Sequence, residues 1–213
     1  RDLLARALHG ARTSLAVGCL ATAILVCIGV VVGAVAGYFG GALDLVLSRL
    51  IEVVVSVPLF FLVLVAVAFV GPSMWNVIVV LGCVGWTGVA RLARSEFLRQ
   101  RELEYVAAAR AMGFAWPRIV FRHVIPNAIF PVIARAAADV GLVLITMAAL
   151  SYIGFGPGPY VPEWGSLIAS GQAYIFQAPW LVFFPGAAIF LTSLSLNLIA
   201  DWARDAFDPR LRS

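Results

Sequence analysis

The sequence predicts an all-α membrane protein, and three observations carry that prediction. Hydrophobic residues make up 62% of the 213 residues and charged ones only 12%, against about 45–50% and 25% in soluble globular domains. The apolar residues fall in long runs that reach or approach the length needed to cross a bilayer's hydrocarbon core, without the alternation of a β-barrel. The basic residues, all of them Arg, gather between and after those runs.

The first run, residues 14–38, carries no charge. At 1.5 Å per residue it outreaches a hydrocarbon core about 30 Å thick, so it spans with tilt. It is too long for a signal peptide and lacks a small-residue cleavage site followed by soluble sequence. Within it, GVVVGAVAG sets Gly29, Gly33 and Gly37 four residues apart on one helix face. Missing side-chain bulk there lets a neighbouring backbone approach, so helix packing is their expected role.

A second span is expected over residues 45–70, closed by the Gly71-Pro72-Ser73 breaker, and a third over 74–98. Residues 128–153 span on a condition. Their strongly apolar side chains favour insertion by about 4 to 7 kcal/mol, while Arg135 and Asp139 at mid-bilayer oppose it by about 5 to 7 kcal/mol. Arg135 must therefore snorkel to an interface, and Asp139 must be paired or face other helices; four residues apart, the two can pair along their own helix. A fifth span covers 178–200, where Ser193, Ser195 and Asn197 either line a hydrated path or bridge helices, the commoner use of such residues. Asp139, Ser193 and Asn197 are thus the candidate path-lining residues.

Arg91, Arg94, Arg99, Arg101, Arg110, Arg118 and Arg122 fall around the link between the third and fourth spans, and Arg204, Arg210 and Arg212 follow the fifth. The positive-inside rule places both regions in the cytoplasm and the Arg-free segment 154–177 outside, an arrangement consistent with the two spans between them. Tyr160, Trp164, Phe176 and Trp180 are expected to anchor that outer segment at the membrane surface. Arg1, Arg6 and Arg12 then lie outside against the rule, which predicts a sixth helix ahead of them and cytoplasmic termini for the complete subunit. Residues 1–213 read as one membrane domain, without repeat or linker. Cys19, Cys27 and Cys83 lie in apolar runs without His, Asp or Glu at ligand spacing, so neither a disulfide framework nor a metal site is expected. They read as small apolar packing groups.

The cytoplasmic stretch 99–127 contains EYVAAARAMGFAWPRIVFRHVIPNA. Ala-rich sequence from Glu104 to Met112 favours a helix, Gly113 suits a left-handed C-terminal turn, and Pro117 suits the first turn of a second short helix. Pro126 marks entry into the next span. Such a protrusion can dock on a cytosolic partner and pass on its motion; the plainer reading is a solvated basic loop.

These residues closely resemble the EAA loop of permease subunits of binding-protein-dependent ABC importers: Glu-Ala-Ala, three residues, Gly, nine residues, then Ile-x-Leu-Pro. Ala108, Ala109, Gly113 and Pro126 stand at matching positions. Ala107 stands in the Glu slot, His123 in the Ile slot and Ile125 in the Leu slot; Glu104, one turn earlier, is the candidate replacement for the missing charge. RDLLARALHGARTSL, AGYFGGALD, GFGPGPYVPEWGSLIASGQAYIFQAPW and NLIADWARDAFDPRL extend the resemblance over nearly the whole chain, toward the C-type permease of the dipeptide, oligopeptide and nickel branch.

The resemblance implies a type I ABC importer transmembrane domain of six helices, five of them within this sequence. It also implies a bacterial inner-membrane location and a coupling helix seated on an ATPase. The implied partners are a homologous permease, two ATPase subunits or domains that hold ATP and Mg, and an extracytoplasmic substrate-binding protein. Short peptides are the implied cargo, with nickel chelates or haem as alternatives in the same family.

The chain has no GxxxxGK[ST] loop and no Lys to complete one, so it is not expected to bind ATP or any other cofactor itself. It has two His, no HExxH and no clustered carboxylates, which argues against an enzyme. A proton-coupled secondary transporter is the rival from another class, with Asp139 as the proton carrier and helices broken at Pro58 or Pro185 framing a site.

Overall fold

A computed structural model describes residues 3–158 and 161–207, and among these the regular secondary structure is entirely helical. Tyr160, Arg1, Arg210 and Arg212 lie outside the described residues. Helix α1, Leu3–Phe39, has 37 residues and so extends about 55 Å, past both edges of a bilayer core. α2 (Gly41–Val55), α3 (Leu59–Val70), α4 (Met74–Gly85) and α5 (Thr87–Arg101) follow. α6 (Glu104–Ala111) and α7 (Trp116–Ile119) lead into α8 (Ile125–Tyr152), then α9 (Trp164–Gly171) and α10 (Trp180–Phe207).

α1 is the hub, packed on α5, α4 and α8. Along α1, Gly29 faces Val89, Gly33 faces Ala93 and Gly37 faces Phe97, so α1 and α5 run in the same direction with their backbones in near contact. A Cβ at Gly29 would lie 2.6 Å from the Val89 Cβ, and one at Gly37 would lie 2.8 Å from the Phe97 Cβ. Two helices that run the same way need a return crossing between them, and α2 with α3 supplies it.

The span expected over 45–70 is broken into two helices. α2 and α3 meet at a bend of 82°, because Pro58 has no N–H to donate and disfavours helical backbone at the residue before it. Pro58 instead precedes α3 in an extended conformation, φ −57° and ψ 128°. Counting the bent pair as one crossing, five segments are long and apolar enough to span. α2 is tied to α5 by a two-pronged ion pair, in which the Arg94 Nε and Nη2 donate to the two carboxylate oxygens of Asp44, the latter at 2.7 Å.

At the opposite end of α1, the Glu163 carboxylate caps α9, accepting from the Gly165 N–H at 2.9 Å and from the Ser166 N–H. The next residue, Trp164, is buried; its backbone N–H donates to Ser14 Oγ at 3.1 Å and its indole N–H to the Ala7 carbonyl at 3.1 Å. Trp164 is therefore not an interfacial anchor. Its ring fills a small core with Leu167 and Ile189, whereas Trp180 and the fully exposed Phe176 remain outside. The three cysteines also depart from expectation: all are exposed on helix surfaces instead of packed inside the bundle.

Candidate functional site

The segment between α5 and α8 is a closed structural unit. α6 ends in a left-handed turn at Gly113, φ +75°. The Gly113 N–H donates to the Arg110 carbonyl at 2.9 Å and the Phe114 N–H to the Ala109 carbonyl at 3.2 Å. These are the two bonds of a Schellman motif, which satisfies carbonyls that a helix end leaves open. The Phe114 side chain folds back toward the buried cluster beneath α6, the apolar contact that accompanies such a turn.

That cluster fixes the unit to the bundle. Val106 and Ala109, on one face of α6, pack with Phe97 of α5, Tyr38 of α1, and Ile119, Val124 and Ala128 on the way into α8. Polar contacts reinforce it. The Tyr105 hydroxyl donates to Gln100 Oε1 at 2.7 Å, and Asn127 Nδ2 donates to the His123 carbonyl at 2.7 Å. Arg101 donates to the carbonyls of Gly37 and Tyr38, both at 3.3 Å, closing the C-terminal end of α1. Burial holds the Tyr105 phenol above its ordinary value, so it stays a neutral donor near neutral pH.

The opposite face of α6 is bare. Glu104, Ala107, Ala108, Arg110 and Ala111 are exposed, as are Gly113 and Pro126. Exposed apolar groups continue that surface: Leu103 at 42%, Met112 at 65% and Trp116 at 54%. A row of small side chains flanked by larger apolar ones, over a rigid base, suits insertion into a protein cleft. Of the loop residues singled out in sequence, Ala109 is the one that is fully buried. His123 is half-buried; its ring stacks on Phe114, centroids 6.4 Å apart, and Arg118 covers Phe114 at 4.1 Å. The His123 backbone enters a π-helical turn, Val120–Val124. Pro126 follows it and has no N–H for the Arg122 carbonyl, a local cause for the widened turn.

The candidate path residues do not converge on one place. Asp139 is buried in the bundle and accepts from Arg135 Nε at 2.8 Å. Ser193 Oγ reaches the Gly141 carbonyl of α8 at 3.5 Å, and Asn197 Nδ2 turns back onto the Ser193 carbonyl at 2.8 Å. The last two thus bridge α10 to α8 and to itself. A cavity elsewhere, between the α2–α3 bend, the α4–α5 joint and α8, is lined by Arg135 and Asp139 together with Arg91. Pro58 and Arg91 were each visible in the sequence; nothing in it signalled that they line one cavity. Among the described residues no cluster of His, Cys, Asp or Glu could hold a metal ion.

The family described as "Binding-protein-dependent transport system inner membrane component" matches residues 29–213. A dipeptide transport system permease protein of Alkalihalophilus pseudofirmus is 37% identical over the whole chain, which covers 70% of that protein. A glutathione transport system permease protein of Pectobacterium atrosepticum is also 37% identical, with 71% of its length covered. An oligopeptide transport system permease protein of Haemophilus influenzae is 35% identical, with 68% covered. Among solved structures, an amino acid ABC transporter superposes with a TM-score of 0.70 at 20% identity, over 96% of this chain and 98% of the other. An inward-facing methionine ABC transporter gives 0.70 at 18% identity, over 94% and 97%.

Proposed function

Because the chain belongs to the binding-protein-dependent inner membrane components of ABC importers, we propose that it carries short peptides across the bacterial inner membrane. In this reading it is a multi-pass permease that pairs with a second, homologous permease. Two ATPase subunits or domains bind ATP and Mg, and an external binding protein delivers the peptide. The peptide cargo is supported by relatives whose names specify dipeptide and oligopeptide transport.

The α6–α7 protrusion is the coupling element. The observation that carries this assignment is its two-sidedness: Val106 and Ala109 are locked into the bundle, while Ala107, Ala108 and Met112 stand exposed for a partner. ATP-driven closure of the ATPases moves the protrusion as a rigid body, and the helices that flank it move with it. A ligand can shift such an equilibrium only by its differential affinity for the two states. A stiff link is what lets nucleotide binding on one protein count as a bias on another.

Glu104 lies in the first turn of α6 and is exposed, where it can meet a basic group on the ATPase. Ala107 leaves room beside it. The test is co-expression with the paired permease and ATPases, purification in detergent and reconstitution with the binding protein. Peptide uptake that requires ATP is expected. Uptake by this chain alone, driven by a proton gradient, would overturn the proposal.

A further inference from the structure

The α2–α3 bend, the α4–α5 joint and the middle of α8 enclose a cavity of about 230 Å³. Its wall is mostly Val and Leu, and its polar members include Thr87, Arg91, Arg135, Asp139 and Thr146. Arg91 is exposed and has neither an ion pair nor a hydrogen-bond partner among the described residues. Asp139 is only 6% exposed. One of its oxygens accepts from Arg135 at 2.8 Å; the other, Oδ2, is buried with no partner.

Both loose ends invite a partner. Arg91 lies toward the cytoplasmic end of the Met74–Arg101 span, and a guanidinium there with no protein partner is served by a hydrated cavity or a ligand, not by lipid. A buried carboxylate oxygen without a donor carries its desolvation cost uncompensated. The helix break at Pro58 opens onto the same space, and irregular backbone at membrane depth is tolerated where it lines a cavity. Two guanidiniums against one carboxylate leave the chamber one positive charge in excess, so it favours an anionic guest. The guest must also bring an N–H for Asp139.

We propose that this chamber receives the C-terminal end of the peptide in transit, with the terminal carboxylate on Arg91 and a backbone N–H on Asp139 Oδ2. The cavity is smaller than the roughly 300 Å³ at which pockets begin to hold whole small ligands, which suits the end of a chain and leaves the remainder in the open path. Arg135, already held by Asp139, sets the orientation of that carboxylate. This inference rests on the peptide-import reading above, and its test separates the two.

The complete transporter is reconstituted, and uptake of alanyl-phenylalanine is measured beside that of its C-terminal amide, for wild type, Arg91→Gln and Arg91→Lys. The ratio of the two uptakes within each variant removes any preference of the external binding protein. Loss of a charge-assisted bond lowers the carboxylate-to-amide ratio about tenfold or more in Arg91→Gln; Arg91→Lys keeps most of the wild-type ratio. Amide uptake by Arg91→Gln reports that the variant is folded. An unchanged ratio, or equal loss of both peptides, overturns the chamber as a carboxylate site. If the wild-type complex imports neither peptide, the import reading fails, and equilibrium dialysis of both peptides against the purified wild-type and Arg91→Gln complexes still decides the chamber. Preferential binding of the free carboxylate to wild type alone supports it, and equal binding to both overturns it.

Discussion

Adding one methyl group at Gly33 should destabilise the bundle, while the same change at Gly186 should not. A Cβ at Gly33 would lie 2.7 Å from the Ala93 Cβ and 2.8 Å from the Arg94 nitrogen, and closer still to the Ala90 carbonyl oxygen. Apolar carbons rest about 3.5–4.0 Å apart, so α1 and α5 must part by roughly 1 Å. They cannot hinge open locally, because Gly29 and Gly37 hold the same seam one turn to either side with equally short approaches. Overpacking of this kind typically costs about 1–3 kcal/mol. At about 2–4 °C per kcal/mol for a domain of this size, the thermal midpoint of Gly33→Ala in detergent should fall by roughly 2–12 °C. Gly186, inside α10, has nothing within 4 Å of the point where a methyl group would stand and no positive φ. Gly186→Ala should therefore raise the midpoint slightly, since the helix former restricts the unfolded chain by about 0.4–1 kcal/mol. If Gly33→Ala melts at or above the wild-type temperature, the close seam is not what holds α1 to α5.

Gly113→Pro should insert into the membrane like wild type yet abolish ATP-driven uptake, since proline cannot adopt φ +75° and lacks the N–H given to the Arg110 carbonyl; Gly113→Asn, which tolerates the left-handed region, should retain most uptake. Val106→Ala, at a site with no exposure, should loosen the base of α6 by about 1–2 kcal/mol and lower peptide imported per ATP hydrolysed, with hydrolysis itself continuing. Glu163 should confer a pH dependence on α9. Burial, the largest influence, raises its pKa above the ordinary 4.5, against the Ser151 hydroxyl and the Gly165 and Ser166 N–H groups, which favour the charged form. With the folded value above the unfolded one, the stabilisation is complete below about pH 4.5 and declines as pH rises toward the raised value. The melting midpoint of wild type should fall over that window and that of Glu163→Gln should stay flatter; parallel slopes would count against it.

The elements that could be read from sequence were those with a local cause. An uninterrupted charge-free run made α1 plain, Gly113 between an Ala-rich stretch and Pro117 outlined α6 and α7, and four-residue spacing put Arg135 beside Asp139. The α2–α3 bend was masked because residues 45–70 are mostly apolar on both sides of Pro58, with Arg49 and Glu52 the two charges in the run, and hydropathy alone does not see direction. α9 was hidden in a Gly- and Pro-rich stretch. Its capping box begins with Glu and closes with Ser at the third position, the reverse of the usual order. Trp164 looked interfacial because aromatics near span ends often are; only its pairing with Ser14 and Ala7, about 150 residues away in sequence, reveals it as core. The Asp44–Arg94 bond, formed across 50 residues, is equally invisible to any local pattern.

Long-range pairing also joins the two proposed sites. The coupling unit leaves α5 at Arg101 and enters α8 at Ile125. Arg91 lies ten residues before the first of these points and Arg135 ten residues after the second, each about 15 Å along its helix at 1.5 Å per residue. The two helices that carry the loop therefore also carry the chamber's charges, at matched depth. A rigid-body shift of α6 that changes the spacing of α5 and α8 at their loop ends must change the separation of Arg91 from the Arg135–Asp139 pair. Near the chamber, α2 bends away at Pro58, while the close seam between α1 and α5 makes those two helices move together. On these proposals, nucleotide-driven motion reaches the peptide's carboxylate through a short pair of levers, and no longer chain of contacts is required.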